Sequence, residues 1–240
     1  MEIKIFDTPD AVAPACADEF TSLLSSKDDC ILGLATGASP VPTYRELIKR
    51  YNADVISFKH ASSFNLDEYV GLPRSDKNSY YTFMHENLFN SVDINEKNVH
   101  ILNGNAEDTE KECADYDAAI DAAGGIDIQL LGIGTNGHIG FNEPSDAFSD
   151  GTFKVKLTDS TVQSNSIYFT ESAMPRYALT MGINSIMKAK KIILIATGLS
   201  KAEAIKNAVK GEVTPRCPAS VLQKHPNCIF FLDRAAASLL

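Results

Sequence analysis

One stretch of the chain concentrates groups that can move protons. Gly132-Ile-Gly-Thr-Asn-Gly-His-Ile-Gly-Phe-Asn-Glu-Pro144 packs four glycines, an amide, an imidazole and a carboxylate into a short loop. Glycines let a backbone turn sharply and approach a ligand closely. A ring that titrates near neutrality suits general acid–base work, so His138 is the first candidate. A nearby acid such as Glu143 would fix its tautomer, and Asn136 could orient the same ring or hold a substrate hydroxyl. A second carboxylate, Asp67, lies in Phe64-Asn-Leu-Asp-Glu-Tyr69, where a strand is expected to end. Of two adjacent acids there, one tends to face the crevice and the other to face away. A carboxylate so placed can shuttle a proton at carbon if its surroundings raise its proton affinity. Acids at strand ends also cap turns, so the pair alone does not choose between chemistry and structure.

Anion-binding groups form a second set. Leu34-Ala-Thr-Gly37 and Ile195-Ala-Thr-Gly198 both place Ala-Thr-Gly at a strand end, just before a helix. Unpaired N–H groups in such turns, with the helix dipole behind them, attract anions. Together with the His138 loop they are expected to ring one crevice. Lys201 follows the second turn and adds a cation to it, with Arg216 and Arg234 as weaker candidates.

The elements that must hold these residues alternate along the chain. Strands are predicted at Ile3–Phe6, Cys30–Ala35, Ser62–Leu66, Ile126–Leu131, Lys154–Leu157, Ile192–Ala196 and Cys228–Leu232. Helices are predicted over Thr8–Leu24, Thr43–Tyr51, Ser79–Phe89, Glu107–Ala123, Tyr177–Met187 and Ser200–Lys210. Thr158–Ser166 reads as an irregular segment beside the loop, a candidate lid. This order implies an α/β fold: one domain over residues 1–240, with a single open, mostly parallel, Rossmann-like twisted sheet covered by helices on both faces. The site would then sit at the C-terminal ends of the strands.

Composition narrows the function. The net charge of −9 disfavours nucleic acid, which needs a basic face. Five dispersed cysteines, Cys16, Cys30, Cys113, Cys217 and Cys228, suggest reduced thiols and a cytoplasmic protein. The densest apolar run, Ile192–Ala196, is too short to span a bilayer. No cluster has metal-ligand spacing and no Gly-x-Ser-x-Gly elbow occurs, so neither a metal nor a serine nucleophile is expected. Gly132 to Gly137 does fit the dinucleotide fingerprint G-x-G-x-x-G, but Phe141-Asn-Glu-Pro144 continues as loop where a helix should open. No organic cofactor is expected.

Taken together, the motifs resemble the glucosamine-6-phosphate deaminase family of sugar-phosphate isomerases, which is grouped with the 6-phosphogluconolactonases. The match rests on Gly33-Leu-Ala-Thr-Gly-Ala-Ser-Pro40, Asn65-Leu-Asp-Glu-Tyr-Val-Gly-Leu72, Gly132 to Pro144 and Ala178-Leu-Thr-Met-Gly182, and runs on to Asp233-Arg-Ala-Ala-Ala-Ser-Leu239. The resemblance implies that His138 opens the sugar ring, with Asn136 and Glu143 orienting it. It implies that Asp67 carries the proton between C2 and C1. Thr36, Gly37, Ala38, Ser39, Gly137 and Lys201 would hold the substrate and its phosphate.

Two departures stand out. Members with a phosphate-binding lid arginine carry it after Asn-Ser, where this chain has Asn165-Ser166-Ile167, and Arg176 is a possible substitute. Allosterically activated members carry basic residues and serines where Asp146, Ala147, Phe153 and Val155 stand, so no activation by N-acetylglucosamine 6-phosphate is expected. A monomer is favoured over a homo-oligomer. The alternatives are the galactosamine epimer as substrate, 6-phosphogluconolactone hydrolysis and a catalytically silent sugar-phosphate sensor.

Overall fold

The computed structural model describes residues 1–166, 169 and 174–240, with Ser160, Ser164 and Asn165 described by their backbone alone. Its strands are β1 (Glu2–Phe6), β2 (Ile31–Leu34), β3 (Ser62–Asn65), β4 (Asp67–Tyr69), β5 (Val99–His100), β6 (Ile128–Leu131), β7 (Phe153–Lys156), β8 (Tyr177–Thr180), β9 (Ile192–Ala196) and β10 (Cys228–Asp233). The helices are α1 (Pro9–Ser26), α2 (Val41–Asn52), α3 (Tyr80–Asn87), α4 (Thr109–Ala122), α5 (Asp159–Asn165), α6 (Ile183–Met187) and α7 (Ala202–Lys210).

Seven strands form a sheet in the order β1-β10-β9-β6-β2-β3-β5, with every pair parallel. Both faces are apolar, as a covered parallel sheet requires. Leu32, Ile193, Ile195 and Phe231 face Phe20 of α1, Leu47 of α2 and Met84 of α3. Their neighbours Ile31, Leu194, Phe230 and Leu232 face Ile120 of α4, Ile186 of α6 and Ile205 of α7. From β2 the chain winds outward to β3 and β5, then returns to β6 and winds the other way through β9 and β10. The C-terminal ends of β2 and β6 therefore meet at the switch point, where open α/β sheets leave a crevice.

Beside this sheet stands a second one, β4-β8-β7, antiparallel throughout. The sequence announces only part of it, since the strand expected at Lys154–Leu157 is β7. Tyr177–Met187, expected as one helix, is β8 followed by the short α6. Ala178 and Leu179 are fully buried, and a short apolar run buried on both sides looks the same as a buried helix turn. Thr158–Ser166, expected to be irregular, contains α5, which Thr158 caps by accepting a hydrogen bond from the Thr161 N–H. β5, two residues long, was too short to read.

Leu66 joins the two sheets. Its N–H donates to the Leu34 carbonyl in the large sheet, and its carbonyl accepts from the Met181 N–H after β8. Asp67 thus begins a strand of the small sheet rather than ending one of the large sheet. Among the described residues no helix is long and apolar enough to cross a membrane.

Candidate active site

The loops after β2 and β6 close around a cavity of about 340 Å³ at the switch point. Thr36, Gly37, Ala38 and Ser39 line one side, Gly132 to Thr135 and His138 another, and Asp67, Tyr80, Thr161 and Lys201 complete the wall. Asp67 and His138, far apart in sequence, share this space. A larger groove of about 680 Å³ lies where β2 and β3 begin. It is lined by Asp28, Asp54, Asp93 and His60 with no lysine or arginine, the wrong charge for a phosphate.

Local folding explains how each group is held. The Ala35–Ser39 turn is braced by Tyr44 of α2, whose hydroxyl donates to the Ala35 carbonyl at 2.6 Å and accepts from the Ala35 N–H at 3.2 Å. Gly37 takes the left-handed φ of +90°, with open space where a side chain would stand. The His138 loop turns back on itself, with the Gly134 N–H donating to the His138 carbonyl at 2.9 Å. The imidazole then lies against the α-carbon of Gly134: a β-carbon there would sit 2.2 Å from ring atom Cε1. This close approach is why the loop needs glycine at that position. No helix follows, only a bridge between Ile139 and Asn142, so the glycine pattern lacks the setting of a dinucleotide site.

Behind the ring, the hydrogen bonds fix the tautomer. The Asn136 side-chain nitrogen donates to Glu143 Oε2 at 2.7 Å, which leaves Asn136 Oδ1 as an acceptor. That oxygen lies 2.8 Å from His138 Nδ1, and Glu143 Oε1 lies 3.5 Å from the same nitrogen. Nδ1 must then carry a proton, and Nε2 is the nitrogen left for the cavity. Burial alone would raise the Glu143 carboxyl. Hydrogen bonding and charge attraction from His138, with hydrogen bonds from Thr161 and Asn136, instead lower it to about 2. Glu143 stays ionised across the working range.

Asp67 is in the opposite situation. Its carboxyl is buried, with 6% of the residue exposed, and burial followed by the charge of Glu68 raises it to about 8. Its neighbour turns away, as expected of adjacent acids: Glu68 binds backbone N–H groups at the start of α3. Two carboxylates whose environments push them apart in this way, one at about 2 and one at about 8, mark a site built for proton transfer.

Other expectations need correction. The second Ala-Thr-Gly turn does not line the cavity, because the Gly198 N–H is already taken by both oxygens of Asp233 at 3.0 Å. It nevertheless leads into the turn that delivers Lys201, whose Nζ donates to the Ile133 carbonyl at 2.7 Å. Gly137 packs on Cys217, and its N–H donates to the Gly134 carbonyl, so it offers nothing to a ligand. Arg216 and Arg234 pair with Asp146 and Asp7, and Arg176 lies 3.8 Å from Asp159, all exposed and none on the cavity wall. Ile167 is outside the described residues. Sequence reasoning missed Tyr80 and Thr161. Tyr80 had no signal, whereas Thr161 was marked by the Thr158-x-x-Thr161 cap spacing and donates to Glu143.

The chain is similar to known proteins over nearly its whole length. The family described as glucosamine-6-phosphate isomerases/6-phosphogluconolactonase matches residues 7–230. A glucosamine-6-phosphate deaminase of Lysinibacillus sphaericus is 55% identical over 92% of this chain and 94% of its own. Another, from Clostridioides difficile, is 48% identical over 100% of this chain and 97% of its own. A solved structure of a monomeric glucosamine-6-phosphate deaminase superposes with a TM-score of 0.96 at 42% identity, covering both chains completely. The 6-phosphogluconolactonase of Thermotoga maritima, at 20% identity and a TM-score of 0.75 over 97% of this chain and 99% of its own, shares the fold. With a family match across nearly its whole length and the paired carboxylates and imidazole at the switch point, this chain belongs to the glucosamine-6-phosphate isomerase/6-phosphogluconolactonase family.

Proposed function

We propose that this protein is an isomerising deaminase that converts D-glucosamine 6-phosphate and water to D-fructose 6-phosphate and ammonia. The observation that carries this reading is the buried Asp67 carboxyl, raised to about 8, in the same cavity as an imidazole with a fixed tautomer. The phosphate sits on the Thr36–Ser39 amides and Lys201. His138, through Nε2, moves the proton that opens the pyranose, with Asn136 and Glu143 holding the ring behind it. Asp67 removes the C2 proton of the open aldose and returns it to C1, which leaves an imine at C2. Water adds to that imine, the C2–N bond breaks, and nitrogen leaves as ammonia. A 6-phosphogluconolactone hydrolase needs no base at C2, so the fold likeness to lactonases does not outweigh Asp67.

The test is ammonia release from glucosamine 6-phosphate and from its galacto epimer, measured side by side. Turnover of the gluco substrate is expected, and release from neither would refute the reading. Lys201 is the only cation among the described lining residues. Lys201→Met is therefore expected to raise KM by about 10–100-fold with a smaller change in kcat, since one charge-assisted hydrogen bond is lost. A variant that lowers kcat at unchanged KM would remove Lys201 from the phosphate seat.

We also assign this protein to the cytoplasm and to the monomeric, non-allosteric members. Ala147, Phe153 and Val155 line an apolar hollow without a lysine or arginine, and Asp146 is paired with Arg216. Nothing there suits a phosphorylated effector. Millimolar N-acetylglucosamine 6-phosphate is expected to leave the rate curve hyperbolic and its midpoint unmoved; a shifted midpoint would overturn this.

A further inference from the structure

The motif Asn65-Leu-Asp-Glu-Tyr contains a second buried carboxylate that the reaction does not use. Glu68 is 3% exposed. Its Oε1 accepts from the Tyr69 N–H at 2.8 Å and the Tyr80 N–H at 2.9 Å, and its Oε2 accepts from the Tyr81 N–H at 2.9 Å. Tyr80 and Tyr81 open α3, so the carboxylate sits where the helix dipole favours negative charge. Burial leaves the Glu68 carboxyl above its ordinary value, and these three N–H groups and the charge of Arg74 limit the rise. The same clamp sets Tyr80, whose ring stacks on Phe141 at 6.1 Å and whose hydroxyl lies 3.3 Å from that of Tyr69, as part of the cavity wall.

Several titratable groups surround Asp67. Glu68 adjoins it on β4, and Tyr44 of α2, Tyr80 of α3 and Tyr116 of α4 feel its charge. His138 and Lys201 line the same cavity. All three phenols are raised by burial and remain neutral at working pH. Glu68 is thus the anion whose charge acts on Asp67.

We propose that Glu68 is a positioning residue of the deamination reaction, whose carboxylate, clamped on the first amides of α3, holds a fixed negative charge beside Asp67 and sets Tyr80 in the cavity wall. The role rests on the deaminase reading. Asp67 must be a stronger base than a free aspartate to take a proton from carbon, and a like charge at close range strengthens it. Because Glu68 reaches helix amides and not the cavity, it exerts this effect without contact with substrate.

The experiment compares kcat/KM against pH for wild type and Glu68→Gln, with melting temperatures for both. The glutamine keeps an acceptor oxygen for the helix and loses the charge. Relative to its own plateau, the variant is expected to keep on the order of three- to tenfold more activity at about pH 6, with a lower plateau, because a weaker base ionises earlier. A folded variant whose acid limb coincides with wild type would reduce Glu68 to a helix cap and overturn the proposal. If Glu68→Gln does not fold, carboxyl carbon-13 NMR titration of the wild type decides. Ionisation of Glu68 at lower pH than Asp67 is expected, and the reverse order refutes the fixed charge. Wild type that releases no ammonia would refute the deaminase reading instead, and the titration order would still report on the pair.

Discussion

Asp67→Asn is expected to lower ammonia release by about 10²–10⁴-fold and, at neutral pH, to yield a protein more stable than wild type. The first effect follows from losing the base at C2. The second follows from where the proton sits in each state. An unfolded aspartate titrates near about 3.9, whereas folded Asp67 titrates at about 8. Between those values the native protein holds one proton more than the unfolded chain, so the Asp67 contribution to stability falls as pH rises through the window. A neutral amide does not suffer that loss. The gain is on the order of a few kcal/mol at pH 8, or several degrees in Tm for a chain of this size, and it vanishes below about pH 4. Melting curves of the two proteins from acid to mildly alkaline pH check it, and curves that stay parallel would mean that Asp67 titrates like an exposed acid. The same ionisation gives the wild-type kcat/KM its acid limb, which should rise toward about pH 8.

The second large effect is expected from Gly134→Ala. Gly134 is not among the left-handed glycines, so alanine has no backbone reason to fail there. The obstacle is the imidazole, 2.2 Å from the incoming methyl. His138 must leave its place between Gly134 and Asn136, and the ring-opening step loses its acid–base group, at a cost of about 10²–10⁴ in rate. Overpacking adds a destabilisation of about 1–3 kcal/mol. If the clash with His138 is the cause, the stability loss should nearly disappear when Gly134→Ala is made in a His138→Ala background. Equal losses of Tm in both backgrounds would point to some other demand for glycine.

Legibility in the sequence was uneven for physical reasons. The His138 loop stood out because glycines, an amide, a ring and an acid crowd a span too short for a core. The parallel sheet was visible through its apolar runs, and α4 through its glycine stop, with Asp108 as cap and Gly124 at a φ of +93°. The small sheet was only partly visible: the strand expected at Lys154–Leu157 is β7, whereas β4 has three residues and the apolar run of β8 reads equally as a buried helix turn. Identical letters also had different fates. One Ala-Thr-Gly turn opens on the cavity, while the other is occupied by Asp233, 35 residues further along the chain. Local pattern carries no trace of such a partner. Gly137 shows the same limit, since the family resemblance implied a ligand contact while the structure commits its N–H to the Gly134 carbonyl.

Leu66 carries a consequence of another kind. The proposed phosphate seat follows β2, and the proposed base opens β4, so anchor and base belong to different sheets. Between them stands a single residue, its N–H bonded to Leu34 and its carbonyl to Met181. Side chains around the rim can loosen the grip on a sugar or dull the base, yet none of them adjusts that gauge, because its length is written in main-chain atoms.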